Sequence, residues 1–217
     1  MIIYLTGIDG SGKSTITENL AKEVFKDEEV ITIWARYKPK IVKTLISPFK
    51  KKFVSDAGND HLMNDSEYSE WKKYKKKITK SGFISKMIYL LQSVDYLIQL
   101  KRFKKVINNS SNKIIVIDRY LLDFIVDESV NYGDIGNNVI TKFFLKKLRK
   151  LDHIFFIDTS EEVALSRKND IPSLEYLRER KKIYKDYISR LDNGHIINND
   201  FELNNAMKEI KGVLNFK

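Results

Sequence analysis

The sequence predicts an α/β fold, a doubly wound five-stranded parallel sheet with helices on both faces, and three observations predict it. Five short apolar runs, Ile2 to Thr6, Val30 to Trp34, Lys113 to Ile117, His153 to Ile157 and His195 to Ile197, are mostly β-branched and continuous rather than alternating. Strands covered on both faces require that pattern. Between the runs stand apolar residues at spacings of three and four, the period of amphipathic helices. A glycine-rich loop joins the first run to the first such stripe. Strand and helix in alternation imply right-handed crossovers, which lay helices on both sides of one sheet.

The first run lacks the basic leader and long apolar stretch of a signal peptide and reads as a strand. It enters Gly7-Ile8-Asp9-Gly10-Ser11-Gly12-Lys13-Ser14, followed by Thr15, which fits the P-loop pattern G-x-x-x-x-G-K-[ST]. Glycines allow backbone angles closed to other residues, so that successive N–H groups turn inward around phosphate oxygens. The expected cofactor is ATP, held by Gly7, Gly10, Ser11, Gly12, Lys13, Ser14 and Thr15. Lys13 is expected to reach the β- and γ-phosphates, and Ser14 to place its hydroxyl on Mg²⁺. The helix that opens near Lys13, marked by Ile16, Leu20 and Val24, adds the positive end of its dipole.

After the second strand, residues 36 to about 82 form the least regular stretch. Lysines at 50 to 52 and among 72 to 77 flank Trp71 and Tyr74. The segment reads as a partly helical insertion, either a solvated one or an acceptor-binding or membrane-surface element, since basic and aromatic side chains together suit anionic interfaces. A long helix follows, its stripe of Ile84, Met87, Leu91, Val94 and Ile98 expected to face the core.

The third strand ends at Asp118-Arg119-Tyr120. In a parallel sheet its carboxyl end lies beside the P-loop, so Asp118 is placed to hold Mg²⁺ directly or through water, and Arg119 to face the transferring phosphate. Val139, Phe143 and Leu148 mark the next helix. Beyond the fourth strand, Thr159-Ser160-Glu161-Glu162 has the form of a capping box opening a helix that ends near Arg167-Lys168. Asn169 to Pro172 lead to Ser173, an N-cap for a helix with Arg178, Arg180, Lys181 and Lys182 on it and Leu174, Leu177, Tyr184, Tyr187 and Leu191 as its apolar stripe. This unit, about 167–182, reads as a short lid closing over ATP, the alternative being an ordinary charged helix pair. Leu203, Met207, Ile210 and Leu214 mark the last helix.

The 217 residues, 42% hydrophobic, suffice for a single domain, 1–217, carrying an insertion at about 36–82 and the lid. Without cysteine, disulfides and thiolate chemistry are excluded, and a reducing, cytoplasmic setting fits. His61, His153 and His195 show no metal-ligand spacing and read as structural. No apolar run approaches the roughly 18 residues of a membrane span. The net charge of +10 is compatible with nucleic acid, an anionic membrane surface or phosphorylated small molecules. A lysine- and asparagine-rich coding bias accounts for it equally well.

On Gly7 through Thr15, Asp118-Arg119-Tyr120, and the lid pattern from Val163 through Arg167 to Glu175 and Tyr184, the chain resembles the thymidylate kinase family. The resemblance implies a P-loop NTPase of the nucleoside-monophosphate-kinase type, acting in nucleotide biosynthesis with thymidylate (dTMP) as acceptor. It implies that Asp9 approaches the acceptor's sugar, that Arg36 meets its phosphate and that Arg119 bridges acceptor and γ-phosphates beside Tyr120. With Ser11 in the P-loop, Arg167 of the lid becomes the catalytic arginine. A homodimer formed through helices is also implied, without an identifiable interface stripe.

This chain departs from the family where the acceptor binds. Arg36-Tyr37-Lys38-Pro39 replaces an Arg-Glu-Pro element, Tyr96 stands at the base-reading arginine, and Leu121 to Asp127 replace a serine and Ala-Tyr-Gln. The expected catalytic set is Lys13, Asp118, Arg119 and Arg167, the metal set Ser14 and Asp118, and the substrate set Asp9, Arg36, Tyr96, Arg119 and Tyr120. The expected reaction is ATP- and Mg²⁺-dependent phosphoryl transfer to a small phosphorylated acceptor, thymidylate first and a non-thymidylate or non-nucleotide acceptor second. A non-enzymatic P-loop switch or nucleic-acid-binding protein ranks last, because a lid and an Asp-Arg pair are unnecessary for binding alone.

Overall fold

The first apolar run, Ile2–Thr6, forms β1 at the centre of the sheet. The computed structural model describes residues 1–40, 82–108, 113–133 and 135–215, apart from the side chains of 84, 104, 105 and 108. The expected insertion lies mostly outside these residues, as do His61 and the side chain of Ile84. β1 leads into α1 (Lys13–Asn19), which runs on as a π-helical turn through Leu20–Val24. Then come β2 (Val30–Trp34), α2 (Gly82–Asn108), β3 (Ile114–Asp118), α3 (Leu121–Tyr132) and α4 (Val139–Leu148). β4 (His153–Asp158), α5 (Glu161–Ser166), α6 (Leu174–Ile188), β5 (Gly194–Asn198) and α7 (Leu203–Val213) complete the order.

All pairings are parallel, in the order β2-β3-β1-β4-β5. Leu5 sits between Asp118 and Phe155, Trp34 beside Asp118, and Asp158 beside Asn198. The chain turns from one half of the sheet to the other at β1, so the carboxyl ends meet at the crevice where ligands bind in open α/β sheets.

Successive β1 residues point to opposite faces, and both are dry. Ile3 and Leu5 join Phe155 and Ile157, Ile16 of α1 and Leu20 of the π-helical turn, and Met207 and Ile210 of α7. Tyr4 joins Ile154 and Phe156, Phe124 of α3, Phe144 and Leu148 of α4, and Leu177 and Tyr184 of α6. Each fully buried aliphatic or phenyl side chain stabilises the fold by about 1.5–3 kcal/mol relative to exposure. That two-sided burial explains why the strand runs are continuous.

Three local expectations are corrected. On α2, Met87, Leu91, Val94 and Ile98 are exposed, while Ser85, Tyr89, Ser93, Asp95 and Tyr96 are buried. Periodicity locates a face without saying which face is covered, and here the inward polar groups are satisfied. Tyr89 Oη and Thr141 Oγ1 share a hydrogen bond of 2.9 Å, and Ser93 Oγ donates to Tyr89 O. On α4, Val139 and Phe143 are exposed, and Thr141, Phe144 and Leu148 point inward. At α5, Ser160 is the N-cap but makes no side-chain capping bond. Thr159 Oγ1 donates to Ser11 O instead, at 3.3 Å, so the residues expected to cap a helix brace the P-loop. Ser173 does cap α6, accepting from Tyr176 N.

His153 and His195, distant in sequence, meet on adjacent strands, Nδ1 to Nε2 at 3.3 Å, with Phe155 packed against both rings. Among the described residues no group of three or more His, Cys, Asp or Glu is arranged for a metal ion, and no helix is long and apolar enough to cross a membrane.

Candidate functional site

The loop from β1 to α1 is shaped by close approach of other backbone. Gly10 has φ +78°, and a Cβ there would lie 2.1 Å from Ala164 O. Gly12, φ +88°, caps α1 in the left-handed region with no side-chain capping bond. The first N–H groups of α1 are therefore left for an anion. Lys13 folds back over the loop, donating to Gly7 O at 2.9 Å, Ile8 O at 2.6 Å and Ser11 Oγ at 3.1 Å. Burial, reinforced by the charge of Arg119, brings the Lys13 ammonium down to about 7 against the pull of Asp9, Asp123 and Asp118. Ser14 and Thr15 are exposed at the start of the helix.

β3 delivers the other half of the site. Asp118 Oδ1 is buried with no hydrogen-bond partner. Burial raises its pKa, although Lys13 and Arg119 pull the other way. A buried, unsatisfied acceptor oxygen costs about 1–3 kcal/mol, and Asp118 together with the exposed Ser14 hydroxyl fits a hard cation such as Mg²⁺, which takes oxygen ligands.

Arg119 has φ +66°, a left-handed conformation that is uncommon outside glycine and concentrates at functional sites. Its guanidinium is held from three sides. Nη2 donates to Asp9 Oδ1 at 2.5 Å, Nη1 to Asp123 Oδ1 at 3.1 Å, and Nη1 to Gly7 O at 3.4 Å.

Asp9 also accepts from Tyr176 Oη at 3.3 Å. Burial works to raise the Asp9 pKa, but Arg119, Lys13 and Arg36 together hold it well below the usual carboxylate range. Arg36, half-buried just beyond β2, is close enough for its charge to act on both Asp9 and Tyr176. Tyr120 is half-buried, edge-on to Tyr4 at 5.8 Å.

Two expected site features differ from their sequence reading. Tyr96 is 1% exposed and its hydroxyl donates to Ala35 O at 2.6 Å. It packs with Tyr37 and Phe124, ring centroids 5.4 and 5.0 Å away, so the expected substrate hydroxyl is engaged within the core. Four basic residues of α6 are paired with acids. Arg178 bridges to Glu162, Arg180 to Asp127, Lys181 to Asp158 and Glu161, and Lys185 to Asp158. These pairs link α6 to α3, β4 and α5. Arg167, exposed at the end of α5, lies by the loop: its Nη1 is 3.9 Å from where a Cβ on Gly12 would stand.

Sequence reasoning missed Asn199, Asp123 and Tyr176. Asn199 Nδ2 donates to Ser11 O at 2.8 Å, pinning the P-loop from the end of β5. The polar run Asn198-Asn199-Asp200 after an apolar strand was a usable signal, since parallel carboxyl ends converge. Beside it, a cleft of about 620 Å³ is lined by Asn198, Phe201, Glu202, Asn205, Lys208 and Glu209. Asp123 and Tyr176 carry no such signal, because helix periodicity does not reveal which strand a side chain meets.

No protein-family model and no curated protein matches the chain. Among solved structures, a deoxyadenosine kinase from M. mycoides with bound dATP matches at a TM-score of 0.51 and 20% sequence identity, covering 99% of this chain and 100% of that one. The likeness shows a shared fold.

Proposed function

We propose that this protein transfers the γ-phosphoryl group of ATP to a small acceptor that is already phosphorylated. The observation that carries the reading is the convergence of Lys13, Asp118, Arg119 and Arg36 on the open end of the sheet, around an uncapped helix start. In-line attack by an acceptor phosphate oxygen on Pγ forms the new P–O bond as the bond to the β–γ bridging oxygen breaks, and ADP leaves. Lys13 and Arg167 offset charge on the nucleotide, and Arg119 offsets charge between acceptor and γ-phosphate. Ser14 and Asp118 would hold Mg²⁺, whose role is to neutralise β- and γ-phosphate charge. The cleft at Phe201 gives the adenine an aromatic edge next to the P-loop.

A neutral hydroxyl acceptor, as in the nucleoside named for the deoxyadenosine kinase, calls for a general base. The described carboxylates on the acceptor side are engaged: Asp9 by Arg119 and Tyr176, Asp123 by Arg119, and Asp95 by Tyr37. Arg36 at the end of β2 suits an anionic acceptor instead, and a phosphate oxygen is already a nucleophile.

Thymidylate is the acceptor that the family resemblance supports. A second reading, a non-thymidylate or non-nucleotide phosphate, is favoured by the packing of Tyr37, Tyr96 and Phe124 where that resemblance would seat a base. Purified protein with ATP, Mg²⁺ and each nucleoside monophosphate, then a series of sugar phosphates, tests both. Selective ADP release with thymidylate supports the first reading, and ADP release with a sugar phosphate alone supports the second. ATP binding without turnover on any phosphorylated acceptor defeats the proposal.

Use of the ATP pool makes the cytoplasm the expected location, with no specific nucleic-acid partner. The exposed row Met87, Leu90, Leu91, Val94 and Ile98 of α2 supports a homodimer through that helix, since contiguous apolar faces mark contact sites. Val94→Glu should shift the mass seen by light scattering from dimer to monomer.

A further inference from the structure

Asp123, on the first turn of α3, is 2% exposed and its carboxylate gathers donors from three other parts of the fold. Oδ1 accepts from Arg119 Nη1 at 3.1 Å and from Tyr184 Oη of α6 at 2.7 Å. Oδ2 accepts from Tyr4 Oη of β1 at 2.5 Å and from Tyr120 N, at the β3–α3 junction, at 2.9 Å. Both oxygens are filled, and charge-assisted bonds of this kind are the stronger class.

We propose that Asp123 is a positioning residue, which fixes the Arg119 guanidinium toward the reacting phosphates and makes that orientation depend on the seating of helix α6. The proposal rests on the phosphotransferase reading. Arg119 leaves β3 with a left-handed backbone, so its own main chain does not aim the side chain along the strand. Aim comes from two flanking carboxylates, Asp9 on the P-loop and Asp123 on α3. Asp9 ties the arginine to the loop, and Asp123 ties it to α6, because Tyr184 shares the oxygen that Arg119 uses. A shift of α6 that withdraws the Tyr184 hydroxyl changes the acceptor strength of Oδ1 and hence the hold on Arg119. Asp123 also adds a negative charge beside an arginine that must meet an anion, which lowers anion affinity in exchange for orientation.

These features separate positioning from mere structure. Asp123→Asn keeps the shape and one acceptor oxygen. Its kcat should fall about tenfold to a hundredfold, the scale of losses from misplaced catalytic groups, while KM for the phosphorylated acceptor stays level or falls. Tyr184→Phe removes only the α6 donor and should lower kcat severalfold in the same direction, which keeps the test alive should the first variant fold poorly. A third readout needs no acceptor: in ¹⁵N spectra of arginine side chains, the Arg119 guanidinium should rotate slowly in the native protein and faster in Asp123→Asn. Unchanged Arg119 rotation overturns the proposal. So does native kcat per active site, or a loss of rate that tracks only the folded fraction. If the native protein turns over no acceptor, the functional reading fails and the rotation measurement still decides the role of Asp123.

Discussion

Under the proposed function, the nucleotide side and the acceptor side of this crevice are built by different means. On the nucleotide side, Lys13 reaches Gly7, Ile8 and Ser11, all within six residues of it, and glycine backbone defines the shape. On the acceptor side, Tyr37 donates to Asp95 across 58 residues and Tyr96 to Ala35 across 61, with aromatic rings filling the space between. The lysine's contacts are local, and Thr159 and Asn199 then brace Ser11 of the same loop from just past β4 and β5. A pocket assembled from remote elements changes with each substitution.

The comparison predicts that substitutions on the two sides fail differently. Lys13→Ala should cost the most, about a hundredfold to a thousandfold in turnover, the scale for removing one preorganised charge donor, with the fold intact by circular dichroism. Near-native ADP release from that variant would break the distinction at its strongest point. Arg36→Ala should raise KM for the acceptor about tenfold to a hundredfold, as expected for losing a charged hydrogen bond, and leave KM for ATP unchanged. Equal changes in both constants would mean that the two sides are not separate.

Gly10→Ala forces a Cβ against Ala164 O and a left-handed angle onto a residue that resists it. The strain alone is about 1–3 kcal/mol, read as a lower Tm together with weaker ATP binding. Tyr37→Phe, on the other side, removes one hydrogen bond to Asp95, and should lower stability by about 1 kcal/mol with ATP affinity intact.

Proton linkage should appear on the nucleotide side, where Lys13 sits. The free protein holds Lys13 at about 7, below its ordinary 10.5, and bound phosphates favour the ammonium. ATP binding at pH 8 should therefore take up a fraction of a proton, seen by calorimetry in two buffers of different ionisation enthalpy. Because the unfolded chain binds this proton more tightly than the native one, the same group makes native stability rise with pH from about 7 towards 10.5.

Much of the fold was legible in the residues themselves. The five strands lie within a residue or so of their apolar runs, since two-sided burial demands continuous apolar residues. The P-loop was legible because glycines, lysine and serine at fixed offsets specify a backbone shape, while its braces from Thr159 and Asn199 were not. Asp118 and Arg119 were legible because a strand's carboxyl end in a parallel sheet has a known destination. By themselves, then, the residues determined the sheet, the phosphate loop and its cationic surroundings. The tertiary structure decided which face of α2 is covered, that Tyr96 lies inside, that Arg180, Lys181 and Lys185 of α6 pair with Asp127, Asp158 and Glu161, and that Asp123 grips Arg119. Each of these depends on which distant elements pack together, and a period of 3.6 residues or a run of charge carries no information about the partner across the gap.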